Sequence, residues 1–218
     1  WESERFDPFL NRPYSIHRRL DEERIELLVA RVGRGSTALA GLEPGAQVPL
    51  LGPLGRGFRW EAKQRRALLV AGGVAVSPLV FLADSLRAEG LAVSLVMGAA
   101  TAAALLPVSG LVDLGISVLS CTDDGSAGLQ GTAVDAAQAW LDQNKPGSDL
   151  LLAACGPEPM LAALSGVCRQ RALSAQLSME NRMACGTGVC MGCSRVVGGQ
   201  ALRVCVEGPV FDLEEAGL

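Results

Sequence analysis

The 218-residue chain lacks several things, and each shortage closes a class of function. It has no run of basic residues: 19 Lys and Arg are scattered among 23 Asp and Glu, for a net charge of −4. A nucleic-acid stripe or an anionic-membrane patch needs clustered cations, so neither partner is expected. No apolar stretch reaches spanning length. The nearest, DLLLAACGPEPMLAALSGV, is broken by Pro157, Glu158 and Pro159. No signal-peptide pattern is visible. There is no initiator Met, and WESERFDPFL offers neither a helix cap nor a clean strand, so further residues are expected before Trp1. The one histidine, His17, stands beside Arg18 and Arg19 and reads as a strand-end residue rather than a metal or proton group. Internal repeats are absent, and the alanine-rich GAATAAALLP is the nearest approach to low complexity.

An even cysteine set is also missing. Of 7 cysteines, Cys121, Cys155 and Cys168 are scattered in apolar surroundings and four are clustered. A secreted disulfide framework uses an even count spread along the chain, so a reducing cytoplasm is expected, with the cluster free for metal.

What is present is enough apolar side chain, 49%, for real cores. Up to about residue 62 the chain reads as β, with strands expected in RIELLVARVG and AQVPLLGPLG. From 63 to 177 the pattern alternates. ALLVAGG, AVSLVMG, ISVLSCTDDG and DLLLAACG read as buried parallel strands. SPLVFLADSLRAEG (stopped by Gly90), TAVDAAQAWLDQN (capped by Thr132) and PEPMLAALSGVCRQRAL read as helices. Strand–helix alternation implies a doubly wound parallel sheet. Residues 178–218 form a cysteine-rich module. The fold class is therefore α/β plus β, in three parts.

Cys185, Cys190, Cys193 and Cys205 are spaced C-x4-C-x2-C-x11-C, the plant-type spacing of a 2Fe–2S cluster. Two irons each need two thiolates, so one loop wraps the cluster and a distant residue closes it. Gly186, Gly188 and Gly192 let the loop turn tightly and aim backbone N–H groups at sulfur. A structural zinc site is the competing reading. Zinc favours pairs of C-x2-C, and only Cys190 and Cys193 form one.

Other stretches face nucleotides. VAGGVAVSPL places Gly72 and Gly73 between a strand and a helix, where a pyrophosphate can approach the backbone. It is not GxGxxG, and packing alone accounts for many such pairs. AACGPEPML puts Cys155, Gly156 and Pro157 at the carboxyl end of another strand, the ligand edge of open α/β sheets. In RPYSI, Arg12 offers a phosphate fork, Pro13 rigidity, Tyr14 a stacking face and Ser15 a hydroxyl for a ring nitrogen. An ordinary strand would also carry these four residues. VGRGST reads as a glycine loop whose Gly35, Ser36 and Thr37 suit phosphate, or as a plain loop. GPLGRGF is a turn cluster or linker. Trp60 and Trp140 read as packing residues, and Met179, Met183 and Met191 as core filling more than as a docking face.

In order, RPYS, GRGST, GPLGRGF, AGGVAVSPL, TDDGSAG, CGPEPM, SMENRMACGTGVCMGC and CVEGPVFD resemble the electron-transfer subunit of dihydroorotate dehydrogenase B, within the ferredoxin–NADP reductase-like superfamily. The resemblance covers nearly the whole chain. It implies an N-terminal Greek-key FAD-binding β barrel (1–62, its first strands lying before Trp1), an NAD-binding α/β domain (63–177) and a 2Fe–2S module (178–218). It implies Arg12, Pro13, Tyr14, Ser15, Gly35, Ser36 and Thr37 at FAD, and Gly72, Gly73, Cys155, Gly156 and Pro157 at NAD(H). The four cysteines would hold iron. Asp123 and Asp124 carry over only weakly, since turn carboxylates are commonly just solvated. The implied path runs from NADH through FAD and the cluster to FMN in a separate catalytic subunit that interconverts dihydroorotate and orotate, in a heterotetramer. A flavin must stand between a hydride donor and a one-electron cluster. GAATAAALLP offers no arginine for a 2′-phosphate, which favours NAD over NADP. Two alternatives stay open: a reductase subunit of a hydrogenase or ferredoxin:NADP oxidoreductase complex, and a non-catalytic zinc-stabilised binding module.

Overall fold

The apolar run at residues 66–72 forms the strand around which the rest is built. In the computed structural model, which describes residues 10–107, 109–197 and 199–218, β3 (Arg66–Gly72) buries Ala67, Leu68, Leu69, Val70 and Ala71 completely. A strand covered on both faces needs apolar residues at every position, and this is why the run does not alternate. Leu68 and Val70 enter one core with α4 (Ala133–Asn144) and α5 (Glu158–Gln170). Ala67, Leu69 and Ala71 enter the other, with α2 (Val76–Ala88).

β3 pairs in parallel with β4 (Ala92–Ala99) on one side and β7 (Leu150–Cys155) on the other. Beyond β4 lie β5 (Ser117–Thr122) and the short β6 (Leu129–Gln130), with α3 (Ser109–Asp113) in the connection. Beyond β7 lie β8 (Gln176–Ser178) and then the antiparallel β11 (Val210–Asp212), giving the order β11-β8-β7-β3-β4-β5-β6. The winding reverses between β3 and β7, and that reversal opens a crevice at their carboxyl ends. The doubly wound parallel sheet is thus present.

Helix ends follow local chemistry. The Thr132 hydroxyl accepts from the Asp135 N–H at 3.2 Å, and the Asp135 carboxylate accepts from the Thr132 N–H at 2.8 Å. This reciprocal box starts α4. Thr132→Ala is expected to cost about 1 kcal/mol of stability, read as a lower urea midpoint at unchanged slope. After α2, Gly90 takes a φ of +84 and ends the helix as read from the sequence.

Before the sheet, β1 (Ile16–Arg19) and β2 (Ile25–Leu27) form an antiparallel pair against α2, where Arg18 meets Asp84 at 3.1 Å. The expected strand in RIELLVARVG shrinks to Ile25–Leu27. AQVPLLGPLG forms no strand at all, and Leu50 and Leu51 are 72% and 60% exposed. Apolar content does not make a strand without a neighbour to pair with: the first stretch is a strand only where it meets β1, and the second pairs with no strand among the described residues. VGRGST is not a loop: Arg34 opens α1 (Arg34–Ala40). WESERFDPF, the start of the expected barrel segment, lies outside the described residues.

The C-terminal residues first form a hairpin, β9 (Ser194–Val197) with β10 (Gln200–Arg203). They then rejoin the sheet as β11, followed by α6 (Leu213–Ala216). Cys193, Cys205, Phe211 and Leu213 share one core with α4 and α5. Of the three methionines read as core filling, Met179 is buried and Met183 packs on that core. Met191 is 51% exposed, at a positive φ of 59 in the cysteine loop, and does not fill the core.

Candidate iron–sulfur and nucleotide site

The hairpin explains the longest cysteine interval. Cys193 immediately precedes β9, and Cys205 lies two residues past the end of β10. Ser194 pairs with Arg203, and the Val204 N–H donates to the Cys193 carbonyl at 3.3 Å. The eleven residues between these cysteines are therefore a return path that brings the chain back to its start. Cys193 and Cys205 are both buried and their thiols touch. Cys185 and Cys190 form a second touching pair on the loop before them, Cys185 half-buried and Cys190 exposed.

Loop backbone serves the sulfurs. The Thr187 N–H donates to Cys185 Sγ and the Gly192 N–H to Cys190 Sγ, each at 3.4 Å. The Cys190 amide, then Thr187, draw the Cys185 thiol down to about 5. Burial acts first on Cys205 and pushes it up, in company with Cys193. Left-handed backbone at Gly186 and Gly188 (φ +74 and +80) permits these turns. Among the described residues no three His, Cys, Asp or Glu side chains converge as one zinc ion requires. Two thiol pairs, with N–H groups already aimed at sulfur, fit the division of ligands in a two-iron cluster.

The structure brings the two glycine stretches of the sheet together at the crevice. Ala71 pairs with Cys155, so Gly72 and Gly156 follow side by side. A Cβ on Gly72 would stand 2.8 Å from Pro157 Cδ and 3.0 Å from Met160 Sδ; one on Gly156 would meet Met160 Cε at 2.4 Å. Gly73 takes a φ of +59 at the turn into α2. The Cys155 thiol is buried and pushed up to about 12, so it remains neutral. Asp124 accepts from Ser126 N–H and Oγ within its own turn, a solvated arrangement.

Arg12 and Gly35 also meet. Arg12 Cγ lies 3.1 Å from where a Cβ of Gly35 would stand, so the RPYS cation rests on the start of α1. Tyr14 is half-buried, Pro13 and Ser15 are exposed, and Ser77 Oγ donates to the Ser15 carbonyl at 3.5 Å. The Ser36 hydroxyl closes its own helix start, accepting from Val32 and Gly33 N–H at 3.0 and 3.1 Å, while the Thr37 N–H donates to the Gly33 carbonyl. A guanidinium held over Gly35, where no side chain intervenes, fits an anionic pyrophosphate.

Four further connections are not evident from the sequence. Arg195 on β9 pairs with Glu158, at the start of α5, at 2.6 Å, across a cavity of about 60 Å3 lined by Gly156, Pro157 and Met179. Leu54 packs over Gly186, and the Arg56 N–H donates to the Gly208 carbonyl. Arg203 and Glu207, four residues apart around Cys205, form an ion pair; that spacing is the signal that would have found it.

Comparison with known proteins agrees with this geometry. The profile of the iron–sulfur cluster binding domain of dihydroorotate dehydrogenase B matches residues 180–216. The dihydroorotate dehydrogenase B (NAD(+)) electron transfer subunit of Geobacillus thermodenitrificans is 39% identical over 223 residues, covering 99% of this chain and 83% of that one. That of Desulforamulus reducens is 34% identical over 210 residues, covering 94% and 79%. Among solved structures, an NADH-dependent reduced ferredoxin–NADP oxidoreductase, studied for flavin-based electron bifurcation, superposes with a TM-score of 0.77. It is 30% identical and matches over 88% of this chain and 68% of its own. With its paired thiols, its switch-point crevice and this extent of identity, the chain belongs to the family of dihydroorotate dehydrogenase B electron transfer subunits.

Proposed function

We propose that this chain relays electrons between NADH, FAD and a 2Fe–2S cluster, to or from a flavin-containing catalytic subunit that interconverts dihydroorotate and orotate in pyrimidine biosynthesis. The observation that carries it is that the Cys193–Cys205 pair and the crevice helix α5 share one core. When bound, FAD supplies the conversion between hydride and single electrons, and the cluster supplies a one-electron exit.

The chain's own residues do the rest. Gly72, Gly73, Gly156 and Pro157 leave the crevice open to a nicotinamide, with the neutral Cys155 thiol beneath. Arg12, with Pro13, Tyr14 and Ser15, and Gly35, Ser36 and Thr37 flank FAD. Cys185 and Cys190 would hold one iron, and Cys193 and Cys205 the other. Residues 1–62 serve as part of a Greek-key FAD barrel, 63–177 as the NAD domain and 178–218 as the cluster module. The exposed Leu50 and Leu51 suit burial against further barrel strands. Val189, Met191 and Val196 are 81%, 51% and 75% exposed on the cysteine loop and β9. They suit docking of the FMN-containing catalytic subunit, in a heterotetramer of two such chains on a catalytic dimer; light scattering of the co-expressed pair tests that stoichiometry. Seven free thiols suit a reducing cytoplasm, and no described helix is long and apolar enough to cross a membrane.

The test is an anaerobic visible spectrum of the holoprotein before and after NADH. Flavin and iron–sulfur absorbance that both bleach is the expected result. Iron–sulfur absorbance that NADH leaves unchanged overturns the nucleotide assignment, and a colourless zinc protein overturns the whole reading.

A further inference from the structure

Arg203 and Glu207 bracket Cys205 and have no part in the relay above. Arg203 is the last residue of β10, and its side chain reaches back over the cysteine loop. Its Nη1 donates to the Gly188 carbonyl at 3.2 Å. Its Nε donates to Glu207 Oε2 at 3.2 Å, its Nη2 to Oε1, and its backbone N–H to Oε2 at 2.6 Å. Three donors from one residue hold the carboxylate, and the carboxylate in turn holds the guanidinium fork in a single orientation. Glu207 is drawn down to about 2 by that cation.

What the fork holds is Gly188. This residue is buried, with a φ of +80. A Cβ there would stand 2.6 Å from Val206 Cγ2 and 3.1 Å from Arg203 Nη1. Its carbonyl accepts from the guanidinium, which ties Arg203 to the cysteine loop. The guanidinium also lies in electrostatic range of both buried thiols, Cys193 and Cys205.

A 2Fe–2S cluster gains a negative charge on reduction. Hydrogen bonds to its sulfurs and nearby positive charge favour the reduced form. We infer that Arg203, clamped by Glu207, is a positioning residue that raises the reduction potential of the cluster. Two residues before Cys205 and opposite Ser194, and tied to Glu207 and to the Gly188 carbonyl, it holds a positive charge beside the Cys193–Cys205 pair.

The inference rests on the iron–sulfur reading, and its test keeps the two apart. Parent, Arg203→Gln and Arg203→Lys are purified anaerobically as the cofactor-loaded complex with the catalytic subunit. Iron and sulfide content is measured, and the cluster is titrated potentiometrically with EPR detection. Arg203→Gln is expected to load its cluster with about a tenfold loss in the reduction equilibrium, a midpoint lower by about 59 mV for one electron. Arg203→Lys, which keeps the charge but cannot span Glu207 and Gly188 at once, is expected to fall between. A parent without iron and sulfide overturns the cluster reading. A loaded Arg203→Gln with the parent's midpoint overturns the role of Arg203 alone. Should Arg203→Gln fail to load, Arg203→Lys decides: a lowered midpoint supports the role, and an unmoved one overturns it.

Discussion

Replacing Cys205 by serine is expected to reduce the iron and sulfide content to background and to abolish transfer to the catalytic subunit. Dye reduction by NADH through the flavin is expected to survive. Cys205 is the sole ligand delivered by the hairpin, and it is buried against Cys193, so no solvent-borne thiol can replace it. A serine hydroxyl is a poor substitute for a soft thiolate at iron. The split in outcome follows from placement. The crevice at β3 and β7 is built by Gly72, Gly73, Gly156 and Pro157, all of which lie outside the 185–193 loop. Paired assays on one preparation, dye reduction beside orotate-coupled turnover, read both arms. Loss of both activities together would show that the cluster is needed for nucleotide chemistry and would overturn the division of labour.

The second large effect is expected at Gly72. Valine there drives its branched Cβ into the Pro157 ring, 2.8 Å from the Cβ position, and into Met160 Sδ at 3.0 Å. Met160 has a flexible end that can swing; Pro157 does not, because its ring is part of the turn into α5. The crevice must open or fill, and displacement of a bound nicotinamide by about an ångström costs on the order of 100-fold in rate. The overpacking itself costs about 1–3 kcal/mol. Gly72→Val is therefore expected to fold with its cluster spectrum intact while NADH no longer bleaches it on a mixing timescale; stopped-flow absorbance measures this. Chemical reduction by dithionite, which needs no crevice, is expected to bleach the variant normally.

These outcomes depend on features that differ in how plainly the residues announce them. The cysteine spacing is legible because a ligand's identity and order are covalent facts, and the x11 interval encodes a hairpin of definite length. The sheet is legible because strands buried on both faces show as unbroken runs such as ALLVAG and LLLAAC. AQVPLLGPLG misleads for the complementary reason: its leucines signal burial, and burial needs a partner that the described residues do not hold. GRGST reads as a loop because its glycines mask a helix start that Ser36 closes from within. β8 and β11, of three residues each, are too short to show any period, and pairing alone defines them. The Arg195–Glu158 contact joins positions far apart in sequence, and no local pattern marks it.

The last strand has a mechanical meaning. β11 is hydrogen-bonded to β8, and Leu213 returns its N–H to the Ala175 carbonyl at 2.8 Å. The cysteine loop and hairpin are thus suspended between two anchorages on the same sheet edge, like a bridge deck between piers. A domain on a single tether explores space and transfers its electron only when it happens to come near. A segment fixed at both ends cannot swing, so the gap between nucleotide crevice and thiols is a constant of the fold rather than an average over encounters. Severing the chain between Cys205 and Val210 would turn that constant into a variable, with every thiol ligand still in place.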